Sequence, residues 1–453
     1  MPHTFPDLQS FDSYLDRLNF FHMDLSLDRM DRVLEAMDLK NPPCRIVQVV
    51  GTNGKGSTAT FLASLLRAKG VRTGLYTSPH FCSPAERIQV DGRRTDMAGW
   101  LDAAGRAVTL CPELTYFELL TVIALDVFRS LGVEAAVLEA GLGAKYDATT
   151  AARADMAVFA PIALDHTRLL GETVAAIAGE KSHAIRSAAP VVCAPQTPEA
   201  MRVLEARALS FGAPLTRAEP LSDEYALGLC GEHQSVNAGT ALAAMRELER
   251  LCAAKCVLPG GAGGTDAVPA AADEKIALPA SDAVVREGLA GAFLPGRLQT
   301  VRAACRTDTL PARPVCVLDG AHNPHGMTSL VRALHAGRCP SPCAVVYSCL
   351  ADKDWRGALT MLARELAGSE WHVPAIPGER SERPEAIRDF LLGLGETRVT
   401  AHASCLEAFA ALDGEGKDRS AGAPVLVTGS LYLLSEFYAL WPDALEPPAP
   451  LSE

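Results

Sequence analysis

A glycine-rich segment near the start of the chain has the residue types that bind phosphate groups. Residues 49–58 read VVGTNGKGST and follow an apolar run at 45–50 that predicts a strand. Glycine lacks a Cβ atom, so the backbone of such a segment can turn sharply and direct successive N–H groups at anionic oxygens. A helix predicted at 57–69 would add the positive end of its dipole. The segment therefore predicts a phosphate-binding loop.

Lys55 and Ser57 would complete this loop with a positive charge and with a hydroxyl group that suits Mg²⁺. The loop departs from the strict Walker A motif at two positions. Val49 stands in place of Gly, and Gly56 separates the lysine from the hydroxyl residue. Because of these two departures, the chain does not fit the proteins that carry the strict Walker A motif, and fewer families of nucleotide-binding proteins remain possible.

Polar residues follow four further apolar runs, at the positions where predicted strands end. They are Thr77, Ser78 and His80 after 71–76, Glu139 at the end of 135–139, Asp165 and His166 after 156–162, and Asp319 and His322 after 315–318. In open α/β sheets, ligands bind outside the carboxyl ends of the strands. Each residue alone is equally compatible with a capping or hydrogen-bonding role. Their number beside one phosphate-binding loop favours a functional site.

Three ionisable residues could take part in chemistry directly. Glu139 suits Mg²⁺, which prefers oxygen ligands, whereas His166 is a less usual ligand for that ion and could be structural instead. Lys181 lies in the helical pattern AAIAGEKSHAIR, in an otherwise apolar setting. It could be a solvated lysine or the ion-pair partner of Glu180 or Glu172. If it were buried, its pKa would be lowered and it could react as the free amine.

The elements that would position these residues alternate between strand and helix patterns. Nearly continuous apolar strands of this kind are typical of a parallel sheet covered on both faces. We expect an α/β fold with a mostly parallel, doubly wound N-terminal domain at 1–294, which contains the phosphate-binding loop, and a smaller Rossmann-like α/β domain at 295–453. Residues 1–43 read as helical. The Pro-, Gly- and Ala-rich segment 258–280 predicts a mobile surface excursion.

Composition limits the partners that the chain can have. The 42 basic and 54 acidic residues give a net charge of −12, which offers no general attraction for nucleic acid. The 13 cysteines are an odd number, as expected of reduced thiols in a cytoplasmic protein. The sequence has neither a signal-peptide pattern nor an apolar run long enough to span a membrane. We expect a cytoplasmic protein that acts on small molecules, with no nucleic acid and no membrane as a partner.

Short blocks in a fixed order along the chain carry a resemblance to a known family. They read GTNGKGS (51–57), TSPH (77–80), TYFELLT (115–121), LEAGLGAKYDAT (138–149), IALDHTRLLGET (162–173), GEKSHAI (179–185), HQSVNA (233–238), LPGR (294–297), LDGAHNPHG (318–326), LADKD (350–354) and VTGSLYL (427–433). Together they resemble the folylpolyglutamate synthase and dihydrofolate synthase family of the Mur ligase superfamily. An ordered series of this length is far more specific than a single motif.

The resemblance implies an ATP-dependent amide ligase, in which ATP phosphorylates a carboxylate and the amine of L-glutamate attacks the acyl phosphate. The nucleotide-binding positions that it implies are Gly54, Lys55, Gly56, Ser57, Asn237, Arg297 and Asp319. The implied Mg²⁺ ligands are Ser57, Ser78, Glu139 and His166, and the implied catalytic residues are Lys55, Lys181, His166 and His322. Lys181 matches a lysine that is carbamylated in this family. Because Arg297 and Asp319 lie beyond the expected domain boundary, the site is expected in the cleft between the domains.

The substrates that the resemblance implies are 7,8-dihydropteroate or a reduced folate, together with L-glutamate. ATP and Mg²⁺, the latter at two sites, are the implied cofactors, with K⁺ as a further candidate ion. The implied substrate-binding positions are Asp24, Phe117, Tyr146, Asp147 and Ala148. Residues 23–30 (MDLSLDRM) resemble the dihydropteroate-binding segment of bifunctional members, which favours both activities. The resemblance also implies a monomer.

Departures from the family pattern leave alternatives open. The chain has LEAGLGAKYDATT where the family usually has LEVGLGGRLDATN, and EKSHAI in place of EKAGI. These positions flank the pterin pocket and the modified lysine, so an enzyme that acts only on folates is a competing hypothesis. A Mur peptidoglycan ligase would lack the extra Gly56 and would need a longer segment than residues 1–43 before the first strand. A further alternative is a non-catalytic nucleotide-binding regulator that kept the phosphate-binding loop and lost the chemistry. The retained residues that argue against it are Lys55, Glu139, His166, Lys181, Arg297 and Asp319.

Overall fold

The computed structural model describes residues 2–18, 25–257, 270–305, 307–337, 341–413 and 424–447. Contacts within the chain divide it into two compact units. Unit 1 comprises Met1–Leu227 and Ser235–Ala292, and unit 2 comprises Gly228–Gln234 and Phe293–Glu453. The division of the chain into domains at residues 294 and 295 stays a prediction.

Unit 1 is built on an eight-stranded sheet in the order β4-β3-β2-β5-β1-β6-β7-β8. All neighbouring strands are parallel except β2 with β3 and β3 with β4. The strands are β1 Arg45–Val50, β2 Thr73–Tyr76, β3 Ile88–Val90, β4 Arg93–Arg94, β5 Ala135–Glu139, β6 Met156–Phe159, β7 Val191–Cys193 and β8 Leu215–Arg217.

The helices of unit 1 connect these strands and cover the sheet. They are α1 Leu8–Arg17, α2 Asp28–Ala36, α3 Lys55–Ala68, α4 Leu101–Leu110, α5 Tyr116–Ser130, α6 Ala148–Ala151, α7 Thr167–Leu170, α8 Val174–Lys181, α9 Pro198–Ser210, α10 His233–Val257, α11 Ala270–Ala277 and α12 Asp282–Ala290. The first two residues of α10 belong to unit 2. None of the described helices is both long enough and apolar enough to cross a membrane.

Unit 2 is built on a six-stranded sheet in the order β13-β12-β11-β14-β10-β9, parallel except for β9 with β10. Its strands are β9 Gln299–Val301, β10 Cys316–Asp319, β11 Ala344–Tyr347, β12 Glu370–Pro374, β13 Val399–His402 and β14 Val425–Thr428. Its helices are α13 Pro324–His335, α14 Trp355–Glu365, α15 Pro384–Gly393, α16 Cys405–Leu412 and α17 Leu431–Leu440. Two mostly parallel α/β sheets confirm the predicted fold class.

The central position of β1 determines which loops of unit 1 lie side by side. All six residues of β1 are buried, as a strand covered on both faces requires. Val49 is paired in register with Glu139 of β5, and Val50 is paired with Phe159 of β6. Because parallel strands end at the same edge of a sheet, the loops after β1, β5 and β6 emerge next to one another.

The prediction of a mobile surface excursion at 258–280 is wrong for its second half. Residues 258–269 lie outside the described residues, but α11 is an ordered helix with Ile276 buried. Asp273 of α11 accepts hydrogen bonds from Nε and Nη2 of the buried Arg45, at 2.8 and 2.5 Å. Composition could not reveal this ion pair, since the two partners are far apart in sequence.

Removal of Asp273 should destabilise unit 1, because the buried guanidinium of Arg45 would lose the carboxylate with which it makes two hydrogen bonds, while it keeps that of Asp155. We expect Asp273→Ala to lower the free energy of unfolding by about 2–3 kcal/mol. Urea titration of the full chain, followed by tryptophan fluorescence, measures this change. Asp282→Ala removes an exposed carboxylate from the pair with Arg286 and should leave the free energy of unfolding nearly unchanged, because water screens an exposed pair. Equal effects of the two substitutions would contradict a structural role for the buried pair.

Candidate active site

The glycine-rich loop after β1 has the geometry of a phosphate-binding loop. The backbone N–H groups of Thr52 and Asn53 donate to the carbonyl oxygen of Pro161, at 3.0 and 3.2 Å, and fix the turn. Gly54 has φ +81° and caps α3, which begins at Lys55 rather than at Ser57 as predicted. The left-handed conformation of this glycine allows the earlier start, since it turns the chain directly into the helix. The first N–H groups of α3 therefore lie beside the loop.

Asn237 of α10 packs directly against this loop. A Cβ atom built on Gly54 would lie 2.2 Å from the Asn237 Oδ1 atom, so only glycine fits at this position. The side chain of Asn237 is almost fully buried. Two of the predicted nucleotide-binding residues, separated widely in the sequence, are thus in contact within unit 1.

Two of the four predicted Mg²⁺ ligands are joined by a hydrogen bond. Glu139 is the last residue of β5, and its Oε2 atom accepts a hydrogen bond from the Ser78 N–H at 2.9 Å. Ser57 is buried in the first turn of α3. His166 has φ +48°, and its half-exposed imidazole lies 3.8 Å from the carboxylate of Asp165.

The oxygen atoms of these residues fit a magnesium ion chemically. In the described part of the chain, no three His, Cys, Asp or Glu side chains form a group that could hold a metal ion. The four predicted Mg²⁺ ligands include only two side chains of these types, Glu139 and His166. The other two ligands, Ser57 and Ser78, would bind through their hydroxyl groups. Mg²⁺ commonly binds through few protein ligands and keeps several waters, so the oxygen atoms of Glu139, Ser57 and Ser78 suit it, whereas the imidazole nitrogen of His166 is the less usual member of the set.

Lys181 is buried at the end of α8, with 3% of its surface exposed. Burial, followed by the charge of Lys55, lowers the pKa of Lys181 to about 7. The carboxylates of Asp147, Asp165 and Glu180 oppose this shift without cancelling it. Of the two readings that the sequence left open, the structure thus favours the buried lysine over the solvated one, and at a pKa of about 7 its amine is partly unprotonated near neutral pH.

Asp147 holds the loop that follows β5. Its Oδ2 atom accepts hydrogen bonds from the N–H groups of Gly141 and Leu142, at 2.8 and 3.0 Å, and its Oδ1 atom accepts two from Thr149. Burial raises the pKa of Asp147 above its ordinary value, and these hydrogen bonds oppose that shift only in part. The structure thus gives Asp147 a role in the shape of the loop.

Three other predicted substrate residues, Phe117, Tyr146 and Ala148, lie in or beside the same loop. The Phe117 ring packs against Gly141, where an added Cβ atom would lie 3.0 Å from Phe117 Cζ. Tyr146 is 37% exposed, with the Lys145 ammonium 4.9 Å from its ring centroid. Ala148 is buried in the hydrophobic core. Asp24 lies outside the described residues.

The predicted residues of unit 2 form a second group. Asp319 ends β10 and accepts hydrogen bonds from the N–H groups of Leu298 and Ala321, both at 3.0 Å. A Cβ atom on Gly320 would lie 2.6 Å from Nη1 of Arg297. His322 Nδ1 lies 2.8 Å from the Gly320 carbonyl oxygen, to which it can only donate. Arg297, Asp319 and His322 are thus gathered around one glycine.

The electrostatics of this group agree with an anion-binding role for Arg297. Burial raises the pKa of Asp319, and the guanidinium of Arg297 partly opposes that shift. His233 also lies near Arg297, and burial together with this positive charge lowers the pKa of His233 to about 4. The imidazole of His233 is therefore neutral near pH 7, and Arg297 keeps the positive charge of the group.

Sequence reasoning missed one buried polar cluster beside Ser78. Nε of Arg87 donates to Nδ1 of His80 at 2.8 Å, and the guanidinium of Arg87 lies over the ring of Tyr116. Burial, with the charge of Arg87, lowers the pKa of His80 to about 3. The sequence placed His80 among the polar residues at strand ends. No sequence pattern, however, connects it with Arg87, which follows seven residues later.

Comparisons with known proteins show which family the chain resembles over nearly its whole length. Residues 296–431 match the family model of the Mur ligase, glutamate ligase domain. The dihydrofolate synthase/folylpolyglutamate synthase of Escherichia coli (strain K12) is 31% identical over 450 residues, which cover 96% of this chain and 95% of that protein. The structure of E. coli FolC in complex with DHPP and ADP has a TM-score of 0.79 at 28% identity, covering 98% of this chain and 99% of that one.

A further solved structure, a bifunctional folylpolyglutamate synthase/dihydrofolate synthase with Mn, AMPPNP and L-glutamate bound, has a TM-score of 0.76 at 28% identity. It covers 97% of this chain and 98% of that one. The fold, the phosphate-binding loop and the matched domain define a protein of the Mur ligase class. Within that class, the chain belongs to the dihydrofolate synthase/folylpolyglutamate synthase family.

The contact between Gly54 and Asn237 can be tested through nucleotide binding. A Cβ atom at residue 54 would collide with Asn237 and would strain a backbone with φ +81°. We expect Gly54→Ala to weaken ATP binding by about 10-fold or more, because the N–H groups of the loop would move away from the phosphates. Isothermal titration calorimetry measures this affinity. Gly99→Ala is the matched control, since an added Cβ atom there meets nothing within 4 Å. Unchanged affinity of Gly54→Ala would contradict this assignment of the loop.

Proposed function

We propose that this chain is an ATP-dependent ligase that joins L-glutamate, through an amide bond, to 7,8-dihydropteroate and to reduced folates. The observation that carries the proposal is the phosphate-binding loop at Gly54 and Lys55, in contact with Asn237 and adjoining the strand that ends at Glu139. The sequence identity of 31% to the dihydrofolate synthase/folylpolyglutamate synthase of E. coli, over 96% of this chain, supports the proposal. The names of that relative include both activities.

The N–H groups of the loop would bind the phosphates of ATP, since they lie at the positive end of α3. Lys55 would neutralise the β- and γ-phosphates, and Gly56 and Ser57 would complete the loop. Asn237, Arg297 and Asp319 are the further proposed nucleotide contacts. The guanidinium of Arg297 is the group proposed to bind the anion, and its positive charge helps to keep the neighbouring His233 neutral.

Magnesium would be held by Ser57, Ser78, Glu139 and His166, at two sites. When bound, it supplies positive charge that offsets the repulsion between a triphosphate and a carboxylate. The chain's own residues then have to place the two reactants in line and exclude water. The relatives solved with ADP, or with Mn and AMPPNP, support this choice of cofactors.

The reaction has two steps. A carboxylate oxygen of the acceptor attacks the γ-phosphorus of ATP, which forms an acyl phosphate and releases ADP. The amine of L-glutamate then attacks the acyl carbon, phosphate leaves, and the new amide nitrogen loses a proton. We assign this proton transfer to His322, whose Nδ1–H tautomer makes Nε2 the basic nitrogen. His166 is the other histidine that we assign to catalysis.

The loop after β5 would contact the pteridine or folate substrate. Tyr146 offers an exposed aromatic face for stacking, while Asp147 keeps the loop in shape. Phe117, Ala148 and Asp24 complete the proposed set. We further propose a monomeric, cytoplasmic enzyme without nucleic-acid or membrane partners, for which K⁺ is a candidate additional ion.

An activity assay separates the proposed function from its alternatives. The pure protein is incubated with ATP, Mg²⁺ and labelled L-glutamate, and with either 7,8-dihydropteroate or tetrahydrofolate. We expect labelled amide product and ADP with both acceptors. Product with tetrahydrofolate alone would support a folylpolyglutamate synthase without the second activity. No product with either acceptor would overturn the proposal and favour a Mur-type ligase or a nucleotide-binding regulator.

Lys181 provides a test of catalysis that leaves nucleotide binding intact. We propose that its unprotonated amine reacts with CO₂ to give a carbamate and a proton, so that a cation becomes an anion. We expect Lys181→Ala to abolish turnover while ATP affinity changes less than about 2-fold. The unprotonated fraction of an amine with a pKa of about 7 falls as pH falls, so wild-type turnover should decline below that pH and on removal of CO₂. An active Lys181→Ala variant would refute the assigned role.

A further inference from the structure

One carboxylate connects the loop after β5 with the helix that ends at Lys181. Glu180 precedes Lys181 on α8, and its Oε1 atom accepts a hydrogen bond from the Lys145 N–H at 3.0 Å and a longer one from the Ala144 N–H at 3.5 Å. We propose that Glu180 is a positioning residue, which fixes residues 141–147, here called the anchor loop, for binding of the pteroate or folate acceptor. This inference rests on the proposed function for its substrate class.

The close approach of Glu180 depends on a glycine in the anchor loop. Gly143 has φ +69°, a conformation that L side chains rarely adopt. A Cβ atom at Gly143 would lie 2.8 Å from Glu180 Oε1 and 3.4 Å from Cδ2 of Leu170. The loop can therefore present its N–H groups to the carboxylate only because residue 143 has no side chain.

The anchor loop is held at two places, and Tyr146 lies between them. Asp147 binds the N–H groups of Gly141 and Leu142 and so closes the loop on itself. Glu180 binds the loop from outside, at residues 144 and 145. The backbone on both sides of Tyr146 is held in this way, and the Lys145 ammonium lies 4.9 Å from the centroid of its exposed ring. Removal of Glu180 would leave the internal closure intact but would release Lys145 from α8.

Glu180 lies in an ordered part of α8, as a positioning residue should. The carbonyl oxygens of Gly179 and Glu180 accept from Nδ1 of His183, at 3.0 and 3.1 Å, and close the end of the helix. Lys181 follows directly and is buried. The C-terminal end of α8 therefore carries both the proposed reactive lysine, Lys181, and the carboxylate of Glu180, which accepts the hydrogen bonds from the anchor loop.

Two substitutions of Glu180 separate hydrogen bonding from charge. Glu180→Gln keeps an oxygen that can accept from the Lys145 N–H, whereas Glu180→Ala removes it. We expect Glu180→Ala to lower kcat/KM for the pteroate or folate acceptor by about 10–100-fold, mainly through KM, with ATP affinity within about 2-fold of wild type. Glu180→Gln should stay within about 3-fold of wild type. Glu199→Gln, at an exposed position on α9, controls for the loss of one negative charge.

Gly143→Ala tests the same contact from the side of the loop. The added methyl group should displace Glu180 Oε1, so the effects of Gly143→Ala and Glu180→Ala on kcat/KM should not add in the double variant. Hydrogen–deuterium exchange of the substrate-free proteins provides a second readout. The amides of residues 144 and 145 should exchange faster in Glu180→Ala and Gly143→Ala, and as in wild type in Glu180→Gln and Glu199→Gln. Far-UV circular dichroism checks that each variant is folded.

The exchange measurement needs no substrate, so it decides the role of Glu180 separately from the proposed function. If the wild-type protein formed no product, the proposed function would fail while the anchoring of residues 144 and 145 could still be demonstrated. If Glu180→Ala kept both slow exchange at these residues and a wild-type kcat/KM, the positioning role would be overturned. An equal loss of activity in Glu180→Gln would show that charge, and not the hydrogen bond, is what matters, and would also overturn it.

Discussion

Backbone N–H groups in the loops beyond both sheets need acceptors, and carboxylates supply them. Glu139 accepts from Ser78, Asp147 accepts from Gly141 and Leu142, and Asp319 accepts from Leu298 and Ala321. An N–H group left unpaired where water is excluded costs about 1–3 kcal/mol. These acids therefore determine the shapes of the loops that carry the proposed site. Glu139 and Asp319, which end strands, therefore stabilise the loops by accepting backbone hydrogen bonds, in addition to the functional roles proposed for them.

Positive charge is concentrated where the proposed substrates are negative. Lys55 and Lys181 are close enough for the charge of one to lower the pKa of the other. Two neighbouring cations destabilise each other, which favours the unprotonated amine of Lys181 that carbamate formation requires and leaves Lys55 as the cation beside the loop. In unit 2, Arg297 stays charged while the neighbouring His233 is neutral. Such an arrangement is suited to a reaction whose first requirement is to bring a triphosphate and a carboxylate together.

The sequence predicted the fold class because its signals were local. Apolar runs such as 45–50 indicated buried strands, and the glycine-rich segment that follows them indicated a phosphate-binding loop. Contacts between distant residues were not predictable in this way. The pair of Arg45 with Asp273 turned a segment that looked mobile into an ordered helix, and the pair of His80 with Arg87 had no sequence signal. The start of α3 at Lys55 was missed because it depends on the left-handed conformation of Gly54.

Formation of an acyl phosphate is the central claim of this account, and oxygen transfer tests it most directly. With ¹⁸O in both carboxylate oxygens of 7,8-dihydropteroate, the attacking oxygen becomes the bridge of the acyl phosphate and leaves with the phosphorus. Mass spectrometry of the inorganic phosphate released with ATP, Mg²⁺ and L-glutamate should find one ¹⁸O atom in each phosphate formed. Phosphate without ¹⁸O, or release of AMP and pyrophosphate in place of ADP, would contradict the account.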